Sequence, residues 1–177
     1  MRISIQRTGD NLRVRMRWDA NRRRRLIAQL ALWILTIQAA IVAVWAIFAP
    51  AAWYRSFPGF GLDWVAMSGP YNHHLAFDVG AFFLALGAVA AAALFYADSL
   101  LVRVAGAGWV VFGIPHFIYH AANRPDGMST GGFVFMLIAA LLLPALGLVA
   151  VLAAPTERIA LRDPAPMTFR LPNRRKP

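Results

Sequence analysis

The chain contains no cysteine, which excludes disulfides, thiolate metal ligands and cysteine nucleophiles at once. It is also short of charge. Only 15% of its 177 residues are Asp, Glu, Lys or Arg, against 59% hydrophobic residues and a mean hydropathy of +0.54. A soluble domain of this length carries more charge and interrupts its apolar stretches more often. Serine and threonine are scarce near the four histidines, so a nucleophile–base pair for hydrolysis has little to be built from.

What the chain has instead is long apolar blocks of about 20 residues, the length a helix needs to cross ~30 Å of hydrocarbon. Four of them predict helices over 26–48, 71–96, 100–122 and 132–153. The expected fold is all-α: an integral membrane four-helix bundle, up-down-up-down, with a short external aromatic loop and basic cytoplasmic tails. Three segments follow: a basic N-terminal segment over 1–25, the transmembrane domain over 26–153, and a basic, proline-rich tail over 154–177. The first apolar run, led by Arg22–Arg25 and reaching to Pro50, is too long for the apolar core of a signal peptide and ends in aromatics, so it reads as an anchor.

The net charge of +10 is segregated. Nine of the eighteen basic residues lie in 1–25 and six in 158–176, leaving Arg55, Arg103 and Arg124 between them. That is the pattern of positive-inside topology, with both termini cytoplasmic at the plasma (inner) membrane, and not that of a nucleic-acid-binding surface. Arg22, Arg23, Arg24 and Arg25, with Arg174, Arg175 and Lys176 in the tail, are candidate contacts to anionic lipid headgroups or to partner membrane subunits, another copy of the chain included. Arg103 and Asp98 read as snorkelling interface residues. Within 1–21, Ile3 and Ile5, then Leu12, Val14 and Met16, alternate with polar residues around Gly9-Asp10. That is a β-hairpin signal, set against the alternative of a basic tail without structure.

After the first helix, Trp53, Tyr54, Phe57, Phe60 and Trp64 interleave with Pro58, Gly59 and Gly61. These describe an interfacial aromatic loop with a short turn of helix near 62–67. Small residues crowd the second and third helices (Gly80, Gly87, Gly106 and Gly113 among them), the device by which helices approach closely in lipid. Pro115 and Pro144 interrupt the third and fourth helices.

The histidines carry the chemistry. His74 and Asp78 share a face of the second helix at i, i+4, as do His116 and His120 of the third. Counted from the Asp98-Ser99 turn, Asp78 and His120 come out level to within about one residue, or ~1.5 Å, with His74 a turn above and His116 a turn below. Three imidazoles and a carboxylate on adjacent helices suit a divalent transition metal such as Zn²⁺, Fe²⁺ or Cu²⁺. His73, Asn72, Tyr71, Tyr119 and Asp63 are candidate outer-shell groups around them. Two other readings stay open. In one, Asp78 and His120 form a hydrogen-bonded pair that only locks two helices. In the other, His74 with His116 or His120 supplies axial ligands to a b-type haem, or lines a quinone site, among Phe77, Phe82, Phe83, Phe112 and Phe117, with Arg55 or Arg124 meeting propionates.

The run Tyr71, Asn72, His74, Asp78, Val79, Gly80, followed by Pro115, His116 and His120, resembles small four-helix bacterial membrane proteins of DoxX-like layout. The resemblance covers the second and third helices. It implies a bundle, in some members with a redox association, and no settled activity. The functional expectations are therefore a metal-handling or oxidoreductase subunit, or a non-enzymatic accessory subunit of a larger membrane complex.

Overall fold

A computed structural model describes residues 2–8, 11–17 and 22–155. The N-terminal alternation gives strands β1 (Arg2–Thr8) and β2 (Asn11–Arg17), paired antiparallel with Thr8 opposite Asn11 and Arg2 opposite Arg17. Then follow α1 (Arg22–Phe48), α2 (Pro50–Ser56), the two-residue strands β3 (Pro58–Gly59) and β4 (Leu62–Asp63), α3 (Trp64–Met67), α4 (His73–Tyr96), α5 (Ser99–Ala122) and α6 (Thr130–Ala153). Of the proline-rich tail expected over 154–177, residues 156–177, with Arg174, Arg175 and Lys176, lie outside the described residues.

Helices α1, α4, α5 and α6 are each long and apolar enough to cross a membrane; at 24 residues α4 is about 36 Å long. Local chemistry sets their ends. Asn72 caps α4 by accepting from the Leu75 amide (3.2 Å), Asp98 caps α5 by accepting from Leu100 (2.8 Å) and Leu101 (3.2 Å), and Ser129 caps α6 by accepting from Gly132 (3.1 Å). Asp98 is thus a helix cap, not a snorkelling residue. Helix α1 begins four residues earlier than its apolar pattern, because arginine is a good helix former and extends the turn into the basic run. The expected loop after Pro50 opens instead with α2, since a proline that cannot continue one helix is well placed in the first turn of the next.

Each long helix packs against two neighbours in the cyclic order α1, α4, α5, α6. The start of α1 and the end of α6 meet on one face, here the tail face, where Arg24 donates to the Leu152 carbonyl (2.6 Å) and Arg103 to the Pro155 carbonyl (3.1 Å). Arg103 is therefore a clasp on the exit of α6 rather than a free interface residue. Small side chains fill the core at that end: Ala28, Ala31, Ala93, Ala105 and Ala150. Phe83 and Trp109 occupy the middle with Leu35, Ala39 and Leu143.

The closest helix contacts are not between α4 and α5. A methyl at Gly80 would lie 2.7 Å from Ile47 Cγ1, and one at Gly87 3.0 Å from Ala39 Cβ, so these glycines serve the α1–α4 seam. A methyl at Gly106 would lie 2.6 Å from the Gly147 carbonyl oxygen, and one at Gly113 2.5 Å from Pro144 Cδ, so these serve α5–α6. Between α4 and α5 the contacts are ordinary ones, such as Leu86 Cδ2 at 3.6 Å from the position of a Gly108 methyl.

At the opposite face, α2, the β3–β4 turn and α3 form a plug. Trp53 packs with Ala46 and Ala76, and Trp64 with Met128 and Met136, its ring edge-on to Phe135 at 5.3 Å. These two clusters draw on α1, α4, α6 and the loop before α6, and contain no residue of α5.

Candidate functional site

The histidines lie toward the plug face, at the end of α5 that the plug does not cover. On α4, the Asn72 cap starts the helix so that His73 and His74 occupy its first turn. His73 is exposed and meets the Tyr71 ring edge-on at 6.5 Å; Tyr71 in turn packs on Tyr54 at 5.2 Å, whose hydroxyl donates to the Gly69 carbonyl (2.6 Å). One turn on, His74 Nε2 and Asp78 Oδ2 are 3.3 Å apart, their side chains 83% and 56% exposed. Asp78 therefore pairs with His74 on its own helix and not with His120, contrary to the interhelical pair weighed from the sequence.

On α5, His116 and His120 are half-buried, with ring centroids 4.6 Å apart and planes at 79°. Phe112 stacks on His116 at 5.2 Å and 24°, and Tyr119 stands edge-on to His120 at 5.7 Å. The Tyr119 carbonyl also accepts from Asn123 Nδ2 (2.8 Å), closing the end of α5.

The two pairs are registered by aromatic rings. Phe82 lies one turn inward of Asp78, Phe112 one turn inward of His116, and the two phenyl rings touch across the helices at 5.3 Å. From that contact outward, the antiparallel helices place Asp78 level with His116 and His74 level with His120. The count from the sequence was off by about one turn. It centred the turn on Asp98-Ser99, whereas α4 already ends at Tyr96 and Ala97 reverses the chain with φ +52°. The recurrences His74, Asp78, Phe82 and Phe112, His116, His120, both at i, i+4, i+8, are the signal that would have given this register.

Among the described residues, no three His, Asp or Glu side chains converge on one point that would hold a metal. The arrangement is two i, i+4 side-chain pairs on neighbouring helices, each one turn outward of the Phe82–Phe112 contact. His74 and Asp78, being exposed, have room to change rotamer; His116 and His120 are held by packing.

The other expected participants have local roles. Asn72 caps α4. Asp63 sits at the start of α3 without a side-chain capping bond. Arg124 donates to the Met128 carbonyl (2.6 Å) and Thr130 Oγ1 (3.3 Å), with its guanidinium carbon 5.3 Å from the centre of the Phe133 ring. It ties the loop before α6, where a haem propionate would have to compete for it. Of the phenylalanines named for a haem pocket, Phe83 is in the bundle core against Trp109, and Phe82, itself exposed, packs on Phe112 across α4 and α5. Pro144 packs into the notch left by Gly113.

Neither a protein-family model, nor a curated protein, nor a solved structure matches the chain.

Proposed function

We propose that this membrane bundle binds a divalent transition-metal ion (Zn²⁺, Fe²⁺ or Cu²⁺) at the plug-side mouth between α4 and α5, and serves as a metal-handling or oxidoreductase subunit. The observation that carries the reading is the register: the Phe82–Phe112 contact sets His116 and His120 level with Asp78 and His74. Two imidazoles at i, i+4 on one helix are a bidentate donor set, and here packing pre-orients them. The paired His74 and Asp78 on the neighbouring helix would have to leave their present pair to complete a four-donor set. The oxygen and nitrogen donors, without thiolate, suit the borderline divalent ions. We also assign the tail face to the cytoplasm, on the fifteen basic residues in the two tails. The DoxX-like resemblance of the second and third helices is consistent with this reading and adds no reaction to it.

The test is elemental analysis and metal titration of protein purified without a histidine tag. About one metal per chain is expected. His116→Ala and His120→Ala should each abolish it with the bundle still folded, and Asp78→Asn should weaken it. Affinity should fall on acidification, because only neutral imidazole ligates.

A second reading, an accessory subunit with structural histidines, is favoured by one observation: His74 and Asp78 already pair with each other. Under it the protein takes up no metal, and Asp78→Leu destabilises more than Asp78→Asn, which can still hydrogen-bond. That pair of results would overturn the metal site.

A further inference from the structure

At the tail face a small cleft opens between α1, α4 and α5, closed on its far side by the chain leaving α6. Its walls are Ala28, Ala93, Ala97, Val102 and Pro155, and its polar lining is Arg25 and Gln29. The cleft itself is small, about 20 Å³, with space for a single water beside the half-buried Arg25 side chain, so a larger ligand can only sit at its mouth. Arg22, Arg25 and Gln29 recur at i, i+3, i+7 on α1, so a single stripe runs from the exposed end of the helix into the cleft. No acidic residue lines it. Asp98, the nearest carboxylate in sequence to Ala97, is engaged with the amides of Leu100 and Leu101. The first turn of α1 contains no acidic residue to offset its arginines.

From this we infer that the mouth of the cleft is a binding site for the phosphate of an anionic phospholipid, held by Arg25 at the cleft and by Arg22 one turn further out on the same stripe. Charge complementarity selects the occupant: a cationic stripe beside an apolar, small-walled opening, at the depth where a span meets lipid headgroups, fits a phosphodiester attached to acyl chains. A guanidinium carries five N–H donors, so Arg25 can keep a contact within the protein and still donate to a phosphate oxygen. Arg24 and Arg103 lie off this stripe and do not line the cleft; they are bonded to the Leu152 and Pro155 carbonyls. They close the cleft by fixing the exit of α6. The site is remote from the histidines, and the inference stands or falls independently of the metal reading.

The experiment is native mass spectrometry of the full chain in detergent, titrated with dioleoyl-phosphatidylglycerol or dioleoyl-phosphatidylcholine. One phosphatidylglycerol should bind each chain in clear preference to phosphatidylcholine. Arg22→Gln and Arg25→Gln should each weaken it about fivefold, as expected for one arginine near an anionic surface, while Arg55→Gln, on α2, should not. Millimolar inorganic phosphate should fail to displace the lipid. Equal binding of the two lipids, or an unchanged preference in Arg22→Gln, would overturn the proposal. The exposed Arg22 makes that variant decisive even if Arg25→Gln does not fold. Full displacement by inorganic phosphate would overturn it in favour of a site for free anions.

Discussion

Ala97 and Asp98 show how much a two-residue connection decides. Ala97 holds φ +52° to end α4, a conformation that costs a residue with a β-carbon about 1–2 kcal/mol. Replacing it with glycine removes that strain at some cost in chain entropy, so Ala97→Gly should raise stability by about 0.5–1 kcal/mol. Asp98 follows and satisfies two amides of α5, so Asp98→Ala should lower stability by about 1 kcal/mol. Thermal unfolding in detergent, followed by circular dichroism, measures both, and the two shifts should have opposite signs. The same two residues explain why the histidine and aspartate pairs could be recognised in the sequence but not aligned. Spacing along one helix is a local property. The level at which two helices meet depends on where the intervening turn ends each of them, and alanine gives no warning of a left-handed turn.

The four spans were legible because nothing but helix can carry so long an apolar run through lipid with its backbone bonds satisfied. Their neighbours were not. A glycine on a helix shows that something comes close and does not say what; Gly106 and Gly113 could have faced α4 as easily as α6. The structure turns this into a contrast between two substitutions on the same helix. Gly113→Ala drives a methyl to 2.5 Å from Pro144 Cδ and 2.7 Å from its nitrogen, whereas Gly108→Ala meets only Leu86 at 3.6 Å. The first should cost about 1–3 kcal/mol. The second should be neutral or mildly stabilising, because alanine is the better helix former. Equal effects in a side-by-side unfolding comparison would show that the α5–α6 seam is looser than described. Helix α2 was missed for a different reason: Pro50 marks a boundary in either direction, and only the chain beyond it shows that a second helix begins.

For the molecule as a whole, the bond from Arg24 to Leu152 brings the beginning of α1 and the end of α6 to one face. Reporter fusions after residues 98 and 155 should therefore report the same side, and fusions at 60 and 127 the other. Under the proposed assignment of the tail face to the cytoplasm, an alkaline phosphatase fusion should be inactive at the first two sites and active at the second two. Active phosphatase at 155 would contradict the shared face. The even number of spans was readable from hydropathy and the charge asymmetry from composition. The plug was readable only as a cluster of aromatics, since its place over α1, α4 and α6 depends on contacts distant in sequence.

The order in which the helices pair has a consequence for synthesis. The α1–α4 seam can form as soon as residue 96 has entered the bilayer, but α5 then waits. Its glycine-notched side fits only α6, and Gly106 and Gly113 have no partner until Gly147 and Pro144 arrive. A ribosome stalled before residue 130 would leave a three-span fragment with one finished seam and one bare groove facing lipid. Such a fragment would also lack both bonds that close the tail face, from Arg24 to the Leu152 carbonyl and from Arg103 to the Pro155 carbonyl.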